Sequence, residues 1–327
     1  MRAMPLKTSL LFTATFLLIY GALEWTARKL YPSDQDLLHQ QRAFLEAKRQ
    51  VRVFILGSSH AWMGVDPKHH SREAFNMAYG SQDLYYASLL LDRHIEGMDR
   101  IETVALGLDY ISFGFDTEHI ALYIVKDYYW HAGLGPRSGN HFKTFLYTST
   151  LWTHRAEFVP DLIKGVRPLR RYYVDAYEVP ADSWRGEALL KSGFRHTSRS
   201  MSGDELRVNG RSTAEFQKAF HYNRALVVEN GEYLRRIIAR AVAKNAGVAL
   251  FTTPYTEHYR EHFPKAFRDE FYGNVQAVLK SYPTVRYYDF SDSRLFEEGD
   301  FYDANHLNYR GAAKFTRLLD AWLSAPD

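Results

Sequence analysis

The chain of 327 residues contains no cysteine, which excludes disulfides, thiolate zinc sites, iron–sulfur clusters and a thiol nucleophile. It also lacks an excess of one charge. Lys and Arg number 41 against 38 Asp and Glu, a balance of +3, and the basic residues are scattered rather than striped, so no nucleic-acid partner is expected. No internal repeat is evident. With 46% hydrophobic and 24% charged residues, the composition is that of a globular protein and not of a disordered or collagen-like one. The absence of cysteine does not fix a compartment, though it removes the risk of mispairing on export.

Long apolar runs are scarce, with one exception near the start. Ser9 to Leu23 carries no charge, Arg2 and Lys7 precede it, and Glu24, Trp25, Arg28 and Lys29 follow. A spanning helix needs about 20 mostly apolar residues, and Thr8 to Ala27 reaches that length only by including Glu24. Trp25 and Tyr31 suit an interface. No small-x-small cleavage site follows, so residues 1–30 read as an uncleaved signal-anchor helix of the cytoplasmic (inner) membrane, with the body of the chain outside the cytoplasm. The competing reading is a buried core helix. Residues 31–50 are polar and read as a linker or a short helix standing off the membrane.

The remainder, 51–327, alternates strand and helix signals. Val51–Leu56, Phe75–Tyr79, Thr103–Leu106 and Val248–Thr252 are largely apolar runs of strand length, the first three closed by Gly57, Gly80 and Gly107 and the fourth by Pro254, and Val285–Asp289 is a fifth strand candidate. Residues 82–95, a long stretch from Phe216 to Ala241 and Arg310–Leu323 carry apolar residues at helical steps. The alternation predicts an α/β fold with a parallel sheet covered on both faces, a three-layer α/β/α domain. Residues 115–215 break the rhythm and are rich in Tyr, Trp, Arg and Gly. They read as an insertion: a lid, a substrate groove, a partner-binding face, or irregular packing.

Three features converge on nucleophilic chemistry. Ser59 sits in a tight turn directly after the first strand, where the next helix's N–H groups lie nearby. Asp303-Ala-Asn-His306 lets one loop present a base and the carboxylate that orients it, which a protonated serine requires. Gly80, after the second strand, lets a backbone N–H approach an oxyanion closely, beside the N–H of Ser59 itself.

This set resembles the SGNH (GDSL-like) hydrolase superfamily. Gly57-Ser58-Ser59 stands where the superfamily has Gly-Asp-Ser, with Ser58 in place of Asp. Asn76-Met-Ala-Tyr-Gly80 matches the block that supplies an oxyanion-hole Gly, and Asp303-Ala-Asn-His306 matches the last block in full. The third block, Gly-x-Asn-Asp, reads Gly107-Leu108-Asp109, so its Asn donor is missing and Asp109 is expected to point elsewhere or to bind a hydroxyl. Gly-Ser-Ser behind a membrane anchor is similar to the branch containing DltD, the lipoteichoic acid D-alanylation protein. That branch modifies cell-surface polysaccharides beside a multi-spanning membrane-bound O-acyltransferase. The resemblance implies transfer or hydrolysis of an acyl group through a Ser59 ester, with His306 moving the proton and Asp303 holding the imidazole. It implies no cofactor and no metal. A non-catalytic scaffold that docks the membrane acyltransferase is the rival reading.

Other motifs are weaker. Gly57-Ser-Ser-His-Ala61 approximates a nucleophile elbow, but it follows the first strand, and Asp303 and His306 lie too close together for that arrangement. His258-Tyr-Arg-Glu-His262 fits a zinc pattern without a third ligand nominated beside it, although Glu270 is available. His60, Asp109, Tyr222 and Asn223 are candidate substrate contacts, the last two placed on a helix whose apolar face continues past them. Arg167, Arg170 and Arg171, with Tyr172 and Tyr173, form a basic knot suited to a solvated face or to anionic headgroups.

Overall fold

The computed structural model describes residues 6–31, 36–164, 192–220 and 222–325. The basic knot at 167–173 lies outside them. The described residues fall into two compact units: 6–31 with 122–164, and 36–121 with 192–220 and 222–325.

The larger unit is built on five parallel strands, β1 (Val53–Leu56), β2 (Ala74–Asn76), β3 (Thr103–Gly107), β4 (Gly247–Thr252) and β5 (Arg286–Asp289), in the order β2-β1-β3-β4-β5. All four residues of β1 are buried, as a parallel strand covered on both faces must be. The pleat sends Val53 and Ile55 to one face, where they meet Ala249, Phe251 and the helix Tyr309–Ser324 through Phe315, Leu319 and Leu323. Phe54 turns to the other face and packs on Phe44, ring centroids 5.2 Å apart. Phe44 belongs to the helix Asp36–Ala47, which buries Leu37, Gln40, Gln41 and Phe44 on one stripe. The stretch read as a linker or a short helix is thus largely a helix of the sheet unit.

The strand order determines where chemistry can sit. The chain passes from β1 outward to β2 and then returns to the opposite side of β1 for β3. Loops leaving the carboxyl ends of β1 and β3 therefore diverge and leave a crevice between them. Ser59 follows β1 and Asp109 follows β3, so both lie at this switch point.

The helical signal from Phe216 onward is not one helix. Gly203–Phe220 and Val227–Ala243 are separate, and Asn223 caps the intervening turn by accepting from Ala225 N at 3.0 Å. The expected insertion is divided as well. Residues 192–215 belong to the sheet unit, whereas 122–164 form helices (Leu122–Ala132, His141–Thr148, Thr150–Thr153 and Arg155–Lys164) that belong with the N-terminal helix.

That smaller unit centres on the helix Leu6–Leu30. Lys7–Leu30 is long and apolar enough to cross a membrane. Leu10, Leu11, Phe12, Phe16, Leu17, Leu18 and Ile19 are all exposed, which is not how a core helix packs. Its far end is different: Ala27 and Tyr31 are buried against Phe158. Glu24, the charge that interrupts the apolar run, accepts from Arg28 Nε, Ser149 Oγ and the backbone N–H groups of Thr150 and Leu151 at 2.8–3.0 Å. A carboxylate at the first amides of the short helix Thr150–Thr153 is fully satisfied there.

Candidate active site

Gly57 ends β1 at φ 136°, a conformation other residues rarely adopt. A Cβ there would lie 2.9 Å from the Gly107 carbonyl oxygen at the end of β3. The turn is short because this glycine allows the two strand ends to approach. Ser58 then caps the helix Ser59–Gly64, and Ser59 occupies its first position. Gly57 is also tied to the segment after β2: its N–H donates to Gln82 Oε1 (2.9 Å) and its carbonyl accepts from Tyr79 N (3.1 Å). Gly80 adjoins Tyr79, so the expected oxyanion-hole glycine lies beside the serine turn, where it is partly exposed.

The second component arrives from the far end of the chain. Residues 301–307 close on themselves through a bridge between Phe301 and Leu307 and a bond from Tyr302 N to His306 O (2.9 Å). Thr256, just beyond β4, pins this loop by donating from N and Oγ1 to Ala304 O, at 3.1 and 2.7 Å. Asn308 starts the next helix, its Oδ1 accepting from Arg310 N and Gly311 N. Gly311 is needed for closeness rather than for φ, since a Cβ there would sit 2.1 Å from the Asp300 carbonyl oxygen.

The loop brings His306 Nε2 within 2.8 Å of Ser59 Oγ, across 247 residues of sequence. On the other side of the ring, Nδ1 lies 3.0 and 2.9 Å from the two Asp303 oxygens. Asp303 Oδ1 is held in turn by the N–H groups of Asn305 (3.0 Å) and His306 (2.8 Å). The carboxylate holds the proton on Nδ1, which leaves Nε2 as an acceptor for the serine hydroxyl. Burial works against the charged Asp303, yet the His306 charge, its hydrogen bond and the two amides outweigh it and hold the pKa below the ordinary carboxylate value. Burial likewise disfavours an imidazolium at His306. Asp303, with a further contribution from Asp109, outweighs it and raises the pKa above the ordinary imidazole value. Ser59, Asp303 and His306 are each partly exposed, so a substrate can reach the hydroxyl.

A second Asp–His pair lies directly behind the first. The imidazoles of His60 and His306 are stacked, 4.4 Å apart and 10° from parallel. His60 Nδ1 is 2.9 Å from Asp109 Oδ1, and its Nε2 accepts from Asn305 Nδ2 at 2.9 Å. Ser58 Oγ donates to Asp109 Oδ2 at 2.5 Å, and Tyr255 OH reaches Oδ1 at 3.4 Å. His60 is 5% exposed and Asp109 7%, so neither side chain is presented to a substrate as the sequence suggested. Burial opposes the Asp109 charge, but His60, the Ser58 hydroxyl and His306 outweigh it and lower its pKa. Asp109 turns away from the serine hydroxyl and onto that of Ser58.

The other candidates have different neighbours. Tyr222 lies tilted against Phe267, ring centroids 4.6 Å apart, and Asn223 is an exposed cap; neither shares a partner with Ser59. Asn230 is buried and donates to the carbonyls of Phe113 (2.8 Å) and Phe115 (3.0 Å), bracing the chain beyond Asp109. His262 Nδ1 faces its own helix at His258 O (2.9 Å), and among the described residues no group of three or more His, Cys, Asp or Glu forms a metal-binding cluster. Ser58 and Asn305 are residues inside the quoted motifs to which sequence reading gave no role. Both adjoin motif residues, and strand adjacency is the signal that places Ser58 opposite Asp109.

No protein-family model and no curated protein matches the chain. Among solved structures it is similar to a GDSL-like lipase from Bacteroides thetaiotaomicron, at 9% identity and TM-score 0.39 over 89% of this chain and 100% of the other. It is similar to a proposed acylhydrolase from Bacteroides fragilis, at 9% identity and TM-score 0.38 over 91% and 92%. A proposed platelet activating factor from Streptococcus pneumonia gives 11% identity and TM-score 0.38 over 98% and 100%. Likeness this distant carries no activity across, and the chemistry rests on the geometry of the site.

Proposed function

We propose that the protein is a membrane-anchored serine acyltransferase or esterase that acts outside the cytoplasm on ester-linked acyl groups of a cell-surface polysaccharide. The observation that carries the chemistry is the chain from Ser59 Oγ through His306 Nε2 and Nδ1 to Asp303. In this reading His306 removes the Ser59 proton as Oγ attacks the acyl carbonyl. The oxyanion is met by the N–H groups of Ser59 and Gly80. His306 then returns the proton to the departing alkoxide, leaving an ester on Ser59. Water or an acceptor hydroxyl, deprotonated by the same imidazole, completes hydrolysis or transfer. The stacked His60–Asp109 pair holds the imidazole plane from behind and keeps negative charge near the imidazolium that forms.

The polysaccharide acceptor and a multi-spanning membrane-bound O-acyltransferase as partner rest on the resemblance to the DltD branch. The anchor rests on the apolar helix Lys7–Leu30.

A fluorophosphonate probe tests the chemistry. The full chain should label at Ser59, and Ser59→Ala should abolish labelling and lower hydrolysis of p-nitrophenyl acetate by about three to four orders of magnitude or more. Full labelling of Ser59→Ala overturns the reading by placing the reactive nucleophile elsewhere, and no labelling of the intact chain overturns it in favour of a scaffold that docks a membrane enzyme.

A further inference from the structure

The smaller unit exposes aromatic side chains in an ordered way along the apolar helix. Near the polar end of that helix, three tryptophans each carry a cation over the ring. Lys29 Nζ lies 5.7 Å from the Trp25 ring, the Arg28 guanidinium 5.1 Å from Trp130, and the Arg155 guanidinium 4.7 Å from Trp152. All three rings remain exposed, Trp25 at 65%. Amphipathic rings paired with basic groups belong at the level of lipid headgroups. The Glu24 network lies at this same level.

One turn back along the helix the surroundings become apolar. Tyr20 donates its hydroxyl to Ser149 Oγ at 2.7 Å, and its ring meets Phe145 at 5.5 Å on one side and Phe16 at 6.3 Å on the other. Phe145 belongs to the helix His141–Thr148, which also carries Phe142 one turn away. These two phenylalanines are 50% and 69% exposed and continue the apolar surface of the N-terminal helix. Two large aromatic side chains left in water at such a place are a cost that a membrane would remove.

We propose that the helix His141–Thr148 is seated in the lipid bilayer beside the spanning helix, with Phe142 and Phe145 among the acyl chains and Trp25, Trp130 and Trp152 at the headgroups. The expected lid or groove is, in this part, a membrane collar. Glu24 gives the collar its lock, because the carboxylate that shortens the apolar run is the group that binds Ser149, Thr150 and Leu151. This inference rests on reading Lys7–Leu30 as a span and is independent of the chemistry at Ser59.

The absence of cysteine makes the test direct. Phe142→Cys and Phe145→Cys, labelled with NBD in the full chain, are reconstituted in phosphatidylethanolamine–phosphatidylglycerol vesicles that contain doxyl lipid. Leu17→Cys reports the span, and Leu295→Cys, on an exposed loop of the sheet unit, reports water. Positions 142 and 145 are exposed, so the changes open no cavity in the fold. Lipid quenching at 142 and 145 should exceed that at 295 by at least about threefold and approach that at 17, with iodide quenching reduced, because an interfacial helix buries its apolar face about 5–10 Å deep. Probes at 142 and 145 that iodide reaches and lipid does not, beside a quenched position 17, overturn the collar alone. Shielding from both quenchers overturns it in favour of a protein cover. An unquenched position 17 overturns the span and the collar together.

Discussion

Two Asp–His pairs lie face to face in the sheet unit and differ in what meets the outer nitrogen of each ring. Asp303–His306 and Asp109–His60 have the same Nδ1-to-carboxylate separation, 2.9 Å at its shortest, and their rings are stacked. At His306, Nε2 meets a serine hydroxyl that solvent can reach. At His60, Nε2 is filled by the Asn305 amide, and the pair is buried. A carboxylate behind an imidazole is therefore not a mark of reactivity in itself. The acceptor nitrogen must face a nucleophile, and a substrate must reach it. In the proposed mechanism the buried pair acts on orientation and charge instead.

The sharpest way to break the comparison is to make equivalent changes to both pairs. Asp303→Asn places an amide where His306 Nδ1–H donates, which favours the other tautomer and puts a proton on Nε2 against Ser59 Oγ. Esterase turnover should fall by about 10³–10⁴-fold with the fold intact. Asp109→Asn leaves the Ser59–His306–Asp303 chain in place and should cost about tenfold, an effect of charge and positioning below the 10²–10⁴ range of whole acid–base groups. Steady-state kinetics on one ester, with circular dichroism as a check on folding, separates the two. Equal losses would erase the distinction between a reactive pair and a supporting one.

Why one pair was legible and the other was not follows from where their contacts run. Asp303 and His306 are three residues apart on one loop, and Ser59 stands in a glycine turn after an apolar strand, so sequence order alone nominated them. The inner strands β1, β3 and β4 were legible for a related reason: parallel strands buried on both faces read as largely apolar runs. The contact between Ser58 and Asp109 spans 51 positions and exists only because β1 and β3 are neighbours. The helix Asp36–Ala47 was hidden by its chemistry, since two glutamines occupy its buried stripe. Gln40 Nε2 serves there as a donor to the carbonyls of Asn76 and Ala78, both at 2.9 Å. Leu122–Lys164 was hidden because its helices are short and leave aromatic side chains exposed, so no single apolar stripe marks them.

The pH profile sharpens the comparison further. The proposed mechanism needs neutral His306, and the pKa of that imidazole is raised, so kcat/KM should climb with an acid limb centred above the ordinary imidazole value of about 6.5. Asp109 is one source of that rise, through its negative charge. Removing the charge in Asp109→Asn destabilises the imidazolium, lowers the His306 pKa and moves the limb toward acid. The shift would be absent if Asp109 acted only by holding Ser58 in place, which would lower the plateau and leave the limb unmoved. An unmoved limb in a kcat/KM profile between pH 5 and 9 would remove Asp109 from the electrostatics of the site.

The smallest expected effect lies at Ser58, and its smallness is informative. Ser58→Ala removes the donor to Asp109 Oδ2 and the side-chain cap of the helix Ser59–Gly64, while the Ser59 to His306 bond stays. Loss of the cap should cost about 1 kcal/mol of stability, read as a lower denaturant midpoint. Turnover should fall only about two- to fivefold, since the lost bond is one step removed from the Ser59 to His306 contact and Asp109 retains His60 and Tyr255. The buried Asp109 oxygen left without its donor then gains more from a proton than before, so the Asp109 pKa should rise from its depressed value. The charge beside His306 would then fade at higher pH than in the native chain, and because its loss lowers the His306 pKa the acid limb should broaden toward acid. A loss as large as that of Asp303→Asn would mean instead that the Ser58–Asp109 contact holds the serine turn itself, and the two pairs would then be parts of one reactive unit.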